Sequence, residues 1–171
     1  MTLFLVRHGR PAIDPARPAH TWELDPAGFD DVWALRESGR LPQRAAWFCS
    51  PEPKAVATAQ LLTESDVGIV DDLREHVRDS ADWIEDFAAV VRRAFAEPHL
   101  VAAPGWETLD ACRDRVVAAV TRIRDVHAGE DVVLVGHGTA WTLAVAGLTG
   151  QVPDLDRWES MAMPDLIRVG D

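Results

Sequence analysis

Two histidines of this chain stand in the same local setting. Leu3-Phe4-Leu5-Val6-Arg7-His8-Gly9 and Val132-Val133-Leu134-Val135-Gly136-His137-Gly138 each run an apolar segment into one residue and then His-Gly. A short, wholly apolar run reads as a buried strand of a parallel sheet covered on both faces. In open parallel sheets ligands bind beyond the carboxyl ends of the strands, where both histidines fall. The glycine after each leaves room for close approach of a ligand, and Gly9 is counted with the binding residues on that ground. A neutral imidazole can attack phosphorus in line, and the phosphoryl oxygens then need fixed cationic donors. Arg7 suits that task because its planar fork takes two oxygens. A protonated His137 would hold a third. The segment Ser50-Pro51-Glu52-Pro53-Lys54 follows another apolar run at the start of a helix, and helix N-termini favour anions. Lys54 either adds a positive charge from that side or is an ordinary solvated helix lysine.

These residues need a scaffold, and the pattern supplies one. Strands are expected at residues 3–6, 45–49, 132–135 and, more weakly, 68–70, with an edge strand at 166–169 after Pro164. Between them, Asp25-Pro26 starts a helix that runs to about Ser38, with Phe29, Val32, Trp33 and Leu35 inward. Further helices are expected over residues 53–64, 82–96, 109–126 and 138–148. The helix over 82–96 would turn Ile84, Phe87, Ala88, Val91 and Phe95 to the core. The strongest, over 109–126, carries Leu109, Cys112, Val116, Val120, Ile123 and Val126. Strands alternating with helices predict a three-layer α/β/α sandwich around a mostly parallel sheet.

Composition narrows the function. Among 171 residues, 17 Lys+Arg against 28 Asp+Glu give a formal net charge of −11. That balance argues against nucleic acid and against a polybasic membrane surface as partners. Hydrophobic residues at 47% and charged residues at 26% are ordinary for a globular chain and exclude disorder. The length suits one domain spanning residues 1–171. Cys49 and Cys112 lie in apolar patterns and read as buried free thiols. The first apolar run is too short for a secretory leader, and no stretch approaches the ~18 apolar residues of a membrane span, so a cytoplasmic protein is expected.

Taken together, Arg7-His8-Gly9, the segment Cys49-Ser50-Pro51-Glu52-Pro53-Lys54-Ala55 running on to Thr58-Ala59, Leu73-Arg74-Glu75, and Val135-Gly136-His137-Gly138 resemble the ordered motifs of the histidine phosphatase superfamily, which includes phosphoglycerate mutase-like enzymes. The resemblance implies that His8 becomes a phosphohistidine, that Arg7 and His137 bind the phosphoryl group, and that Glu75 gives the proton to the leaving oxygen. Such a glutamate needs a pKa raised by burial or by the phosphate itself. No cofactor and no metal are implied, since side chains supply the cations. The expected activity is hydrolysis of a small phosphorylated metabolite.

The chain also departs from the family pattern. Lys54 stands where the family has a second arginine, so one point charge replaces a fork. Arg10-Pro11-Ala12-Ile13-Asp14 replaces the usual continuation after Arg-His-Gly, making Arg10 a substitute cation for the pocket. Gly105-Trp106-Glu107-Thr108 resembles the family's Gly-Glu-Ser, which places Glu107 at the rim or simply at a helix start. Specificity is expected in the irregular region 76–106, where Trp83 and Trp106, with Trp22, could wall a pocket. Trp33 and Trp47 read as core. Of the remaining histidines only His76, beside Glu75, has a suggestive position. Arg74 and Arg78 flank Glu75 and are the candidates for the second anion clamp that a phosphomutase would require. A phosphate-binding or regulatory module with weakened catalysis is the other reading, motivated by Lys54 and Arg10 to Asp14.

Overall fold

The computed structural model describes residues 1–79 and 84–170. Five strands, β1 (Leu3–Arg7), β2 (Ala46–Cys49), β3 (Val67–Ile69), β4 (Val132–Gly136) and β5 (Asp165–Val169), form one sheet. Their order is β3-β2-β4-β1-β5. All neighbours run parallel except β5, which pairs antiparallel with β1 at the edge, as expected after Pro164. Six helices accompany the sheet: α1 (Phe29–Glu37), α2 (Pro53–Leu62), α3 (Phe87–Ala96), α4 (Leu109–Val126), α5 (Gly138–Thr149) and α6 (Leu155–Ser160).

Strand alternation sends side chains to two cores. Leu3, Leu5, Val132 and Leu134 meet α4 and α5 on one face. Phe4, Val6, Val133 and Val135 meet Val32 and Leu35 of α1 and Ala59 and Leu62 of α2 on the other. The three layers expected from the sequence are therefore present, with the central strands β4 and β1 buried on both faces.

Some local expectations fail for physical reasons. Asp25 does cap, accepting a hydrogen bond from Ala27 N–H, but the first turn after it is 3-10 and α1 begins only at Phe29. Trp33 is 43% exposed. Val32 and Leu35 already fill the inward stripe of this short helix, and Trp33 lies about 100° off Val32, stacking edge-on against Phe29 instead. In α3 the helix starts at Asp86, whose side chain caps Ala89 N–H, and Val91 and Ala94 form the buried stripe rather than Phe87 and Ala88. Val126, in the last turn of α4, is 79% exposed. Helix α6 has no counterpart among the helices expected from the sequence. Trp83 lies outside the described residues.

Candidate active site

Strand register builds the site. Arg7 pairs with Gly136 across β1 and β4, and His8 N–H donates to the Gly136 carbonyl at 2.8 Å. His8 and His137 thus sit side by side just past two neighbouring strand ends, with ring centroids 5.2 Å apart. On the far side of β4, Cys49 pairs with Val135, which brings Ser50 Oγ to 2.7 Å from His137 Nε2.

His8 is buried, and its Nδ1 lies 2.6 Å from the Gly9 carbonyl. A carbonyl only accepts, so Nδ1 carries the hydrogen and Nε2 keeps its lone pair. Burial pushes the His8 pKa well below the usual imidazole value, and nearby His137, Lys54 and Arg7 push it the same way. His8 is a neutral imidazole at pH 7, oriented by its own neighbour's backbone.

Two polar atoms beside it have no hydrogen-bond partner among the described residues. Arg7 Nη1 donates to the Met161 carbonyl at 2.5 Å, while Arg7 Nε is buried without a partner, and so is His137 Nδ1. Buried polar groups are rarely left unpaired unless a site needs them. Burial holds the His137 pKa at about 3, with Lys54, Arg78 and Arg7 adding to the effect and Glu75 opposing it. His137 is therefore also neutral in the free protein.

Glu75 lies on the next wall. Its Oε1 accepts from His76 N–H and Ala140 N–H, both at 2.9 Å, and its Oε2 accepts from Thr139 N–H at 3.1 Å. Two of these donors belong to the first turn of α5, where unpaired N–H groups favour a carboxylate. Burial by itself would raise the carboxyl, but His137, Arg78 and the backbone donors prevail and hold it at about 2. The raised value expected of a proton donor is thus not a property of the free protein, and only the phosphoryl charge could lift it.

The other sequence candidates are placed as follows. Lys54 is buried, and its Nζ donates to Glu52 Oε2 at 2.5 Å and to the Ala19 carbonyl at 2.8 Å. It is not a solvated helix lysine; much of its charge is spent on Glu52. Gly9 gives its N–H to Thr58 Oγ1 at 3.0 Å. A Cβ there would fall 2.8 Å from Val32 and 2.9 Å from Leu24, so close packing rather than ligand approach calls for glycine. Arg10 reaches Asp25 at 3.3 Å on a half-exposed surface. Glu107 accepts from Val77 N–H at 2.8 Å and from Arg115 Nη2 at 2.5 Å, while its carbonyl accepts from His76 Nε2 at 2.7 Å. Glu107 therefore braces the 75–78 segment, and its carboxylate is already engaged. Trp106 is buried beside His76 and Phe87. Trp22 ties its own loop through the Asp14 and Arg17 carbonyls. Arg74 turns away to Asp71, whereas Arg78 donates to Thr139 Oγ1 at 3.3 Å and lies over the Phe87 and Trp106 rings at 4.7 and 4.8 Å.

Four contributors were not anticipated from the sequence. Glu52 joins Lys54 to the Glu75 N–H. Thr58 holds Gly9. Thr139 meets Arg78. Arg115, from the middle of α4, donates to the carbonyls of Asp72, Arg74 and Glu75 and so fixes the segment carrying Glu75. Glu52 and Lys54 stand two apart, a spacing that does not by itself bring side chains together, and Arg115 gives no signal for the segment it fixes, because those carbonyls lie about 40 residues away. Among the described residues, no group of three or more His, Cys, Asp or Glu side chains is arranged to hold a metal ion. No helix among them is long and apolar enough to cross a membrane.

The buried Lys54–Glu52 pair makes a stability prediction. Lys54→Ala leaves Glu52 charged, buried and unpaired, which costs about 3–5 kcal/mol. At roughly 2–4 °C per kcal/mol for a chain of this size, the melting temperature should fall by about 6–20 °C. Thermal unfolding followed by calorimetry measures this. A shift within about 2 °C would show that water screens the pair.

The arrangement agrees with the sequence comparisons. The model of the histidine phosphatase superfamily, branch 1, matches residues 3–167. The chain belongs to that superfamily. Membership places it among enzymes of the histidine phosphatase type. A relative, phosphoglycerate mutase-like protein 4 of Arabidopsis thaliana, is 31% identical over 151 residues, covering 80% of this chain and 66% of that protein. The chain thus spans just under two thirds of that relative's length. Among solved structures, YhfR of Bacillus stearothermophilus superposes with a TM-score of 0.79 at 23% identity, covering 99% of this chain and 90% of its own. A mycobacterial glucosyl-3-phosphoglycerate phosphatase complexed with VO3 does so at 0.75 and 22% identity, covering 99% and 92%. At these identities the structural likenesses establish the fold.

Proposed function

We propose that this histidine phosphatase family member hydrolyses phosphomonoesters through a phosphohistidine on His8, with side chains rather than a metal stabilising the phosphoryl group. The observation that carries this reading is His8 itself: a buried neutral imidazole whose Nδ1–H is fixed on the Gly9 carbonyl, leaving the Nε2 lone pair unengaged among the described residues. Arg7 Nε and His137 Nδ1, buried and unpaired beside it, supply donors for phosphoryl oxygens.

The cycle follows from these groups. His8 Nε2 attacks phosphorus as the P–O ester bond breaks, and Arg7, Lys54 and His137 take up the charge on the transferring oxygens. Entry of a phosphoryl dianion opposes the cations that keep Glu75 ionised, so Glu75 gains a proton and passes it to the departing alkoxide. The Glu75 carboxylate, held by three backbone N–H groups, then takes a proton from water. That water attacks the phosphohistidine, the N–P bond breaks, and inorganic phosphate leaves with His8 restored. A small phosphorylated substrate fits this reading, and the structural neighbour complexed with VO3 is itself a phosphatase.

The test is turnover of an aryl phosphate by purified protein, with and without chelator, together with inhibition by vanadate. Turnover unaffected by chelator and blocked by vanadate is expected. Activity that vanishes with chelator and returns with a divalent cation would overturn the metal-free reading. Tight phosphate binding without turnover would favour the binding module.

A further inference from the structure

Glu52 is the carboxylate nearest to His137. Its Oε1 lies 3.4 Å from His137 Nε2, and no other carboxylate of the described residues comes within 4 Å of that ring. The same Oε1 accepts the Glu75 N–H at 2.9 Å, and Oε2 accepts from Lys54 Nζ. Glu52 N–H reaches Ser50 Oγ at 3.3 Å, and that hydroxyl is itself on His137 Nε2. The carboxylate is almost fully enclosed, at 7% exposure. It is therefore held at the Nε2 edge of the ring, away from the unpaired Nδ1.

His137 otherwise sits in a crowd of positive charge. Arg7 and His8 face it from the end of β1, Lys54 from α2 and Arg78 from the 75–78 segment, with Glu75 the remaining anion. A ring so placed resists a second proton. The Glu52 carboxylate beside Nε2 only accepts, which favours a hydrogen on that nitrogen, and with it there a donation from Nδ1 to a phosphoryl oxygen makes the ring an imidazolium. A buried charge is tolerated only when a partner meets it in good geometry. Resting on the phosphatase reading above, we propose that Glu52 is the counter-ion that lets His137 hold two ring protons while a phosphoryl group is bound, with Lys54 clamping the carboxylate in place. Glu52 touches no substrate; it is a positioning residue that acts through His137. Lys54 then serves the site chiefly by fixing Glu52, which accounts for a lysine where the family carries a fork.

Binding of a phosphate dianion should draw one proton onto His137, whose nitrogen signals in NMR separate neutral from charged rings. The probe is inorganic phosphate at saturation, in the wild type and in Glu52→Gln, Glu52→Asp and Lys54→Met, each titrated over pH. In Glu52→Gln the phosphate-bound His137 should lose its second proton about one pH unit or more below the wild type. Phosphate affinity should start to fall at correspondingly lower pH. Glu52→Asp should recover part of the shift. Lys54→Met removes a cation and should move the titration the opposite way. A merely structural role would weaken phosphate equally at every pH and leave the titration in place, which would overturn the proposal. Should Glu52→Gln fail to fold, Glu52→Asp decides, and a phosphate-bound His137 titration left at the wild-type position there would overturn the proposal. Phosphate that leaves the His8 and His137 signals of the wild type unmoved would instead sink the reading of the site itself.

Discussion

Replacing His8 with alanine should abolish turnover, by at least about four orders of magnitude, and with it any acid-labile phosphoenzyme. Removing a nucleophile that works as part of a unit costs on this scale because no neighbour takes its place. Here the geometry is specific: His137, the one other ring at the strand ends, has its Nε2 on Ser50 and its Nδ1 buried. Its Nε2 is already engaged by Ser50 and Glu52, so it does not stand in for the unengaged Nε2 of His8. The fold should survive, since His8 makes one side-chain hydrogen bond, to the adjacent carbonyl. Rapid quench with a phosphoryl-labelled aryl ester reads the intermediate directly. Wild-type-like turnover in pure His8→Ala protein would end the covalent mechanism, and unchanged circular dichroism guards against misfolding as the cause of a loss.

A second large effect is expected at Glu75, and it should depend on the leaving group. Glu75→Gln keeps the shape but cannot deliver a proton to the departing oxygen. With an alkyl phosphate, whose alkoxide is a poor leaving group, kcat/KM should drop by roughly 10²–10⁴-fold. With a nitrophenyl phosphate, whose phenolate leaves unaided, the first step should lose less than about tenfold. Since Glu75 is held at about 2 in the free protein by His137, Arg78 and backbone donors, its useful proton is acquired only in the complex. The acid limb of kcat/KM should therefore not report a free-enzyme Glu75 near neutrality. Equal losses with both esters would show that Glu75 acts only by holding the first turn of α5, through the Thr139 and Ala140 N–H groups.

The sequence made the strand-end histidines legible because both halves of the signal were local: an apolar run, then His-Gly. The order of four such segments located the family. What it left obscure depended on contacts between distant segments. That Lys54 is neutralised needed the position of Glu52 in three dimensions, although the two residues are only two apart. That Gly9 is a packing glycine needed Val32 and Leu24 from another layer. Glu107 stayed open between rim and helix start because a helix-start acid looks the same whether or not an arginine from the next helical turns closes on it, as Arg115 does. Trp33 read as core because the periodicity of a nine-residue helix leaves its stripe about one residue wide of certainty.

The placement of β1 has a consequence for how such a chain is made. β1 is made before the other four strands of this sheet, yet its two sheet neighbours are β4 and β5, the last two of the five in chain order. Until residues 132–136 emerge, Leu3 to Val6 have no partner for either edge and no cover for either apolar face. Strands in that condition invite association with other chains. Tethered to a ribosome, the early part of the protein can build α1, β2, α2 and β3 but cannot bring His8 to His137. His8 and His137 are therefore brought together late, by the same insertion of β4 that joins β1 to β2, and a chain interrupted before that point holds His8 without its neighbours.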